Sequence, residues 1–464
     1  MVYSISIITV NYLIERSIPC RKLLKKLARK LRDGRCSKLV ENIKKIITSP
    51  EFVSRHRRNI TAFTRNRKLP FHLLIAFLIN FVQGSYQDEL DKFFKTLFRF
   101  DVAKRIVSKV AFSKARMKLE FQAFIELNVH LVSFFEKHFK PRTWLGYRLL
   151  GIDGLTCRLP MTEDVIQHFG VWNGRQGAPS PMARVSQMFD VLNKITVDAV
   201  MKPKRLGERE LATHHMLNVM PKDLVLLDRG YPAWWLFNLI LSMKADFCAR
   251  ISYKKWKVVR KFYRSGLSEK IIRLPINTTS IARCREMGLD LDQLELRLVR
   301  IENDGKVQVL ITSLTDIQKY PIELFGDLYH KRWPVEEDYK EIRCRLELEN
   351  FTGKTSLSVY QDFHAKVFLK NLVHVLALPV QDAIDVDCYG RKYSYQVNFT
   401  QALSKSKGTV ALLLYESGRQ IKRLIEDLQT IFQRTVEPVR PGRKYPRNHK
   451  IRSRKYFPQY KPIG

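Results

Sequence analysis

The sequence predicts an α/β fold, and three observations carry that prediction. Short apolar runs of strand length, YRLLGID and DLVLLD, each deliver an aspartate to a turn. A period-two pattern over 180–203 reads as a hairpin turning at Asn193-Lys194. Amphipathic or fully apolar helical patterns lie on both sides of these strands.

The chain has 464 residues, 45% of them hydrophobic, enough for sizeable cores in several domains. Lys and Arg number 82 against 45 Asp and Glu, a formal charge of +37, which points to a polyanionic partner such as nucleic acid. The longest apolar run, 69–82, contains His72 and Asn80 and is too short to span a bilayer, so no membrane role is expected. The N-terminus has no basic residue before Arg16 and no clear cleavage site, which argues against a signal peptide. Seven widely spaced cysteines without a zinc spacing fit reduced thiols in a cytoplasm.

Taken in order, residues 1–68 are helical in pattern and carry 18 Lys/Arg against 4 Asp/Glu, a net of +14, so phosphate contact competes with a solvated face. Residues 69–140 read as a helical bundle, with a buried helix ended by Gly84. Within 101–128 the pattern breaks into two helices around Val107–Ser113. SKVAFSKARMKL there resembles a helix-turn-helix, with Lys114, Arg116 and Lys118 as candidate DNA contacts. The expected organisation is a basic helical DNA-binding region over 1–140, a catalytic core over 141–246 and 306–378, a β-rich insertion over 247–305, and a C-terminal region with a basic tail over 379–464. The insertion is read as the strands FCARISY, KKWKVVRKFY, EKIIRLP and LELRLVRIEN. Trp256, among lysines, could stack on a base but is better read as core.

Three acids stand out by position. Asp153 lies in the first strand, Asp228 ends the next major strand, and Glu336 sits on a helix after a later strand. The order β(Asp)–β–β–α–β(Asp)–α–β–α(Glu) is that of an RNase H-like core, where the three would meet. Carboxylates so close cannot all stay ionised without cations. An oxygen-only set suits Mg²⁺ or Mn²⁺, and two such ions about 3.5–4 Å apart serve phosphodiester chemistry. Around Glu336, residues Tyr329, Arg332, Glu336, Tyr339 and Arg343 follow at steps of three or four, one stripe of a helix that Pro334 starts or kinks.

With GIDG around Asp153, LLDRGY around Asp228 and YHKRWPVEE around Glu336, the chain resembles bacterial cut-and-paste transposases with a D-D-E triad, of the insertion-sequence family 4 type. The family signature Y-x2-R-x3-E-x6-K is matched by Tyr329, Arg332 and Glu336, with Arg343 where the signature has Lys. The resemblance implies that Asp153, Asp228 and Glu336 hold the metals and that Tyr329, Arg332 and Arg343 bind phosphates near the scissile bond. It also implies double-stranded DNA as partner, as terminal inverted repeats and as target, and a homodimer in the synaptic complex. The location it implies is bacterial, cytoplasmic and nucleoid-associated. FTGKT at 351–355 lacks the upstream glycine of a P-loop, Leu348 standing there, so no nucleotide cofactor is expected. The rival readings are a DNA-binding regulator that does not cut and a metal-dependent nuclease of the same fold.

Overall fold

The computed structural model of the chain describes residues 34–440, apart from 81, 175–176, 304 and 389. The basic run 21–32 and the tail beyond 440 therefore lie outside the described residues. A helical layer comes first: a helix over 34–48, then Pro50–His56, Phe71–Ile79, Tyr86–Phe98, Lys109–Arg116 and Gln122–His138. The apolar helix ends at Asn80, short of Gly84, and buries nearly every side chain.

Ser108 caps the Lys109–Arg116 helix through its hydroxyl, which accepts from the Ala111 N–H at 3.2 Å. Residues 101–108 form no helix, so the break expected at Val107–Ser113 falls instead at Met117–Phe121. Arg116 corrects a second expectation. It is 3% exposed, and its guanidinium donates to Gln361, Thr352, Tyr86 and the carboxylate of Asp362. A buried guanidinium with its donors spent ties two helices together and cannot reach DNA. Lys114 stays exposed and Lys118 half-exposed.

The second layer is a nine-stranded sheet. Its strands are β1 (Arg148–Arg158), β2 (Val171–Gly174), β3 (Gly177–Asp190), β4 (Ile195–Pro203), β5 (Asp223–Leu227), β6 (Asp246–Ile251), β7 (Glu269–Leu274), β8 (Leu294–Asn303) and β9 (Lys306–Thr312). β3 pairs antiparallel with β1 and β4; β5 lies parallel to β1 and β6 parallel to β5. The β3–β4 hairpin turns where expected, with Lys194 in the left-handed region at φ 56°. β5 is buried at every position, as suits a parallel strand between two parallel neighbours inside the sheet.

The stretch expected to open a separate insertion at 247 instead supplies the central strand β6, and β9, β8 and β7 continue the same sheet by antiparallel pairing. KKWKVVRKFY is not a strand. Lys257–Ser265 is a helix, with Val259 and Phe262 buried one turn apart and Trp256 packed at its start against the core. Trp234 is fully buried, its indole N–H donating to the Leu274 carbonyl at 3.0 Å.

The two layers meet on the helix Ser356–Asp387, capped by Thr355, which runs between the sheet and the N-terminal helices. It is long and apolar enough to cross a membrane by composition, yet most of it is buried inside the protein. Helices Phe399–Ser406, Thr409–Tyr415 and Arg419–Arg434 and a two-stranded ribbon, Tyr395–Val397 with Val436–Pro438, close the C-terminal side.

Candidate active site

Strand register brings the first two acids together. β1 and β5 are parallel with Ile152 opposite Leu227, so the next residues on the two strands are Asp153 and Asp228. Parallel neighbours lie about 4.8 Å apart with side chains on the same face. The third acid arrives on the helix Pro334–Lys340, whose first turn holds Glu336. That helix sits directly on β1: a Cβ at Gly151 would lie 2.3 Å from Cγ2 of Val335. Only glycine lets the helix approach this closely. Tyr339 fixes its other end, its hydroxyl donating to the Asp153 carbonyl at 2.6 Å.

Arg332 ties the cluster. Its guanidinium bonds the Glu336 carboxylate and stands 3.6 Å from Asp153 Oδ2, and its charge also acts on Asp228. Asp228 takes a second guanidinium, Arg250 Nη2, at 2.7 Å, and the Tyr329 hydroxyl at 3.3 Å. Burial pushes the Asp153 carboxyl up to about 6, with the charges of Glu336 and Asp228 adding to it, against the Gly154 N–H at 2.8 Å and Arg332. Asp228 goes the other way. Burial alone would raise it, but the Arg229 N–H, Arg250 and Arg332 together hold it below the usual carboxylate range. Three carboxylates, each a quarter to a third exposed, face two guanidinium groups.

The stripe read from the sequence exists, but it faces inward. The helix is broken into Leu324–His330 and Pro334–Lys340, with Pro334 at the new N-terminus, and continues as a π-turn over Glu341–Arg345. Tyr329 and Tyr339 are buried, and Arg332 is 6% exposed. In this conformation the Arg332 guanidinium is engaged with Asp153 and Glu336. Arg343, re-aimed by the π-turn, pairs with Glu349 at 3.1 Å.

A second group of possible metal ligands lies one turn along: Asp338, Glu341 and His374, whose ligand atoms fall within 4.8 Å of one another. Their chemistry differs. Asp338 is buried, and its two oxygens are taken by the Lys370 ammonium and by Gln187 Nε2 at 2.8 Å. Lys370 also donates to Thr196 Oγ1 at 2.6 Å. His374 stacks on Phe399 with ring centres 3.7 Å apart, and burial keeps its imidazole below its ordinary pKa. The ammonium already fills the cation's place, so this group is a structural tie between the Glu336 helix, β3 and the long helix.

The Asp153–Asp228–Glu336 set fits a hard divalent cation. It offers carboxylate oxygens only, it is partly open to solvent, and Arg332 Nη1 beside it is buried and makes no hydrogen bond. Sequence reading missed Arg250, Gly151 and Lys370. Arg250 becomes visible once the β5–β6 register is known, because Leu227 pairs with Ala249 and the next positions are Asp228 and Arg250.

Comparison with known proteins bears on the same segment. Residues 144–372, from just before β1 through the middle of the long helix, match the model of a family described as "Transposase DDE domain". The chain is 24% identical over 416 residues to the transposase InsG for insertion sequence element IS4 of Escherichia coli (strain K12), covering 88% of this chain and 91% of that protein. A solved structure, the cryo-EM structure of the piggyBac transposase synaptic complex with hairpin DNA, aligns at 12% identity with a TM-score of 0.42 over 84% of this chain and 85% of that one.

Proposed function

This chain is a DDE transposase of the insertion-sequence 4 type, a DNA transposase, and we propose that Asp153, Asp228 and Glu336 are the acids with which it cuts DNA at the ends of its element and joins them to a target. The observation that carries the assignment is the register of β1 on β5, which sets two aspartates side by side under the helix that delivers Glu336. The strand order β4-β3-β1-β5-β6, with β5 and β6 parallel to β1, supports an RNase H-like core. The acids would hold two divalent ions, Mg²⁺ or Mn²⁺. Bound there, such ions supply an activated attacking oxygen and stabilisation of the leaving one.

The chain's own residues set the stage. Asp153 and Asp228 are fixed by adjacent strands, and Glu336 by the contact of Val335 with Gly151. Arg332 lies between Asp153 and Glu336, and with cations held on those oxygens its guanidinium would be available to a phosphate near the cut. Arg343 lies seven residues beyond Glu336 and is a second phosphate ligand once drawn from Glu349. Lys114 on the capped helix and Lys118 in the turn just after it are cations available for duplex contact in the N-terminal region. The partner is double-stranded DNA, with two copies of the chain pairing two ends.

The test is single-turnover cleavage of the element's own terminal repeat by Asp153→Ala, Asp228→Ala and Glu336→Ala, with binding measured on the same duplex in Ca²⁺. Each variant is expected to bind and not to cut. Near-normal cutting by any of them removes that acid from the site.

A further inference from the structure

We propose that the helix Lys257–Ser265 and the turn before it form a second, separate contact surface for the backbone of duplex DNA, on the β6 side of the acids. This rests on the DNA transposase reading. Its sequence was read as a strand, and only the folded chain shows what it presents. As a helix, Lys257, Arg260, Lys261 and Arg264 stand at i, i+3, i+4 and i+7, one face, and all four are exposed. Val259 and Phe262 occupy the opposite, buried face. Lys254 and Lys255 extend the row into the preceding turn.

The turn is built, not loose. Arg260 donates to the Lys254 carbonyl at 2.6 Å, and the rings of Tyr253 and Tyr263 stack with centres 4.2 Å apart. These contacts hold the lysines of the turn against the first helical turn.

Charge selects the partner. Over 252–285 there are 10 Lys/Arg and one acid, Glu269, a net of +9. That acid is spent on Arg297. Among the described residues, none of Lys254, Lys255, Lys257, Lys261 and Arg264 has an ion-pair partner. Like charges at i,i+4 destabilise an isolated helix by tenths of a kcal/mol each, so an unbalanced face of this size is better satisfied by a polyanion than by the protein itself. Duplex DNA fits, because a row about 10 Å long matches several successive phosphates.

Place selects which DNA. β6 leaves the sheet at Ile251 beside the end of β5, with Leu227 opposite Ala249 and Arg250 on Asp228. The basic turn therefore starts at the edge of the acid cluster, on the side away from β1. A duplex whose scissile phosphate lies at the acids would carry its next stretch over this helix.

The experiment compares two variants of the full chain: Lys254→Gln/Lys257→Gln/Lys261→Gln/Arg264→Gln, and a control losing the same charge from the exposed C-terminal helix, Arg419→Gln/Lys422→Gln/Arg423→Gln/Arg434→Gln. The readout is the slope of log K against log salt on a labelled duplex of arbitrary sequence, with cleavage of the element's own end measured in parallel. The insertion variant is expected to flatten the slope by roughly three to four units if all four cations reach phosphates, and the control by less than about one. Equal slopes for the insertion variant and the wild type overturn the proposal, as does an equal loss in the control, which marks long-range charge alone. Wild-type protein that binds duplex but never cuts its own end instead removes the proposed chemistry and leaves this surface to be judged by the slopes.

Discussion

Two acidic groups meet at the helix Pro334–Lys340, one through Glu336 and the other through Asp338, and they have opposite fates. Asp338, Glu341 and His374 are closed: Asp338 is buried and a lysine ammonium sits on it. Asp153, Asp228 and Glu336 are open, each carboxylate partly in water, Asp153 and Glu336 facing Arg332 and Asp228 facing Arg250, so that two arginines stand against three acids. Residue type alone separates them poorly, since both are clusters of metal-ligating side chains. What separates them is whether the protein has already supplied the cation. A neutralised, buried group stabilises the fold; a group left one cation short is where a metal can enter.

The widest way to break this comparison is to remove an acid from each group. Alanine at Asp153, Asp228 or Glu336 is expected to cut the cleavage rate by roughly three orders of magnitude or more with folding intact, as for residues that act as a unit. If Asp338→Ala does the same at an unchanged melting temperature, the closed group is the catalytic one.

Asp338→Ala should instead act on stability. It strands the Lys370 ammonium in the core, at a cost of about 3–5 kcal/mol, read by denaturant unfolding. The double variant Asp338→Leu/Lys370→Met removes both charges, and is expected to recover most of that stability and to keep cutting. A double variant that unfolds normally but is inert would show that the pair does more than hold the helix.

Arg332 sharpens the contrast at the next level. Arg332→Ala leaves Asp153 and Glu336 without their bridge and removes a phosphate ligand, so cleavage at saturating DNA is expected to fall about 100-fold. Unchanged single-turnover rates would reduce Arg332 to a counter-ion.

The smallest effect is the most specific to the open group. Folding holds Asp153 up to about 6, above its ordinary value, so the folded, metal-free protein prefers it protonated. Its contribution is fully favourable below the unfolded pKa of about 4 and is lost as pH rises to about 6. Asp153→Asn should therefore stabilise the metal-free protein near pH 7, by on the order of 1–2 kcal/mol, and have no such effect near pH 4. A variant less stable than the wild type at both pH values would contradict that sign.

Much of this was legible in the chain because it is local. YRLLGID and DLVLLD announce strands that end in acids, and the hairpin turn at Asn193-Lys194 is written in its residues. What escaped depends on partners far away in sequence. Arg116 looks like a DNA contact until Asp362 and Gln361, some 245 residues on, are folded against it. Nothing near Arg332 in sequence announces that it also stands beside Asp153, 179 residues earlier in the chain. KKWKVVRKFY failed for another reason: two adjacent valines and an aromatic pair suit a strand by composition, while the spacing of Val259 and Phe262 suits a helix.

The sheet has a mechanical consequence. β6, β9, β8 and β7 are stitched edge to edge, and their pairings run without a bulge. A flap would need a crease, and this ladder has none. The basic helix rides on that panel, so a pull on it is felt along β6, where Arg250 grips Asp228 and β5 lies alongside. The part of the chain that looks like an appendage in sequence is mounted as a stiff bracket, and tension applied at its far end arrives at the second acid.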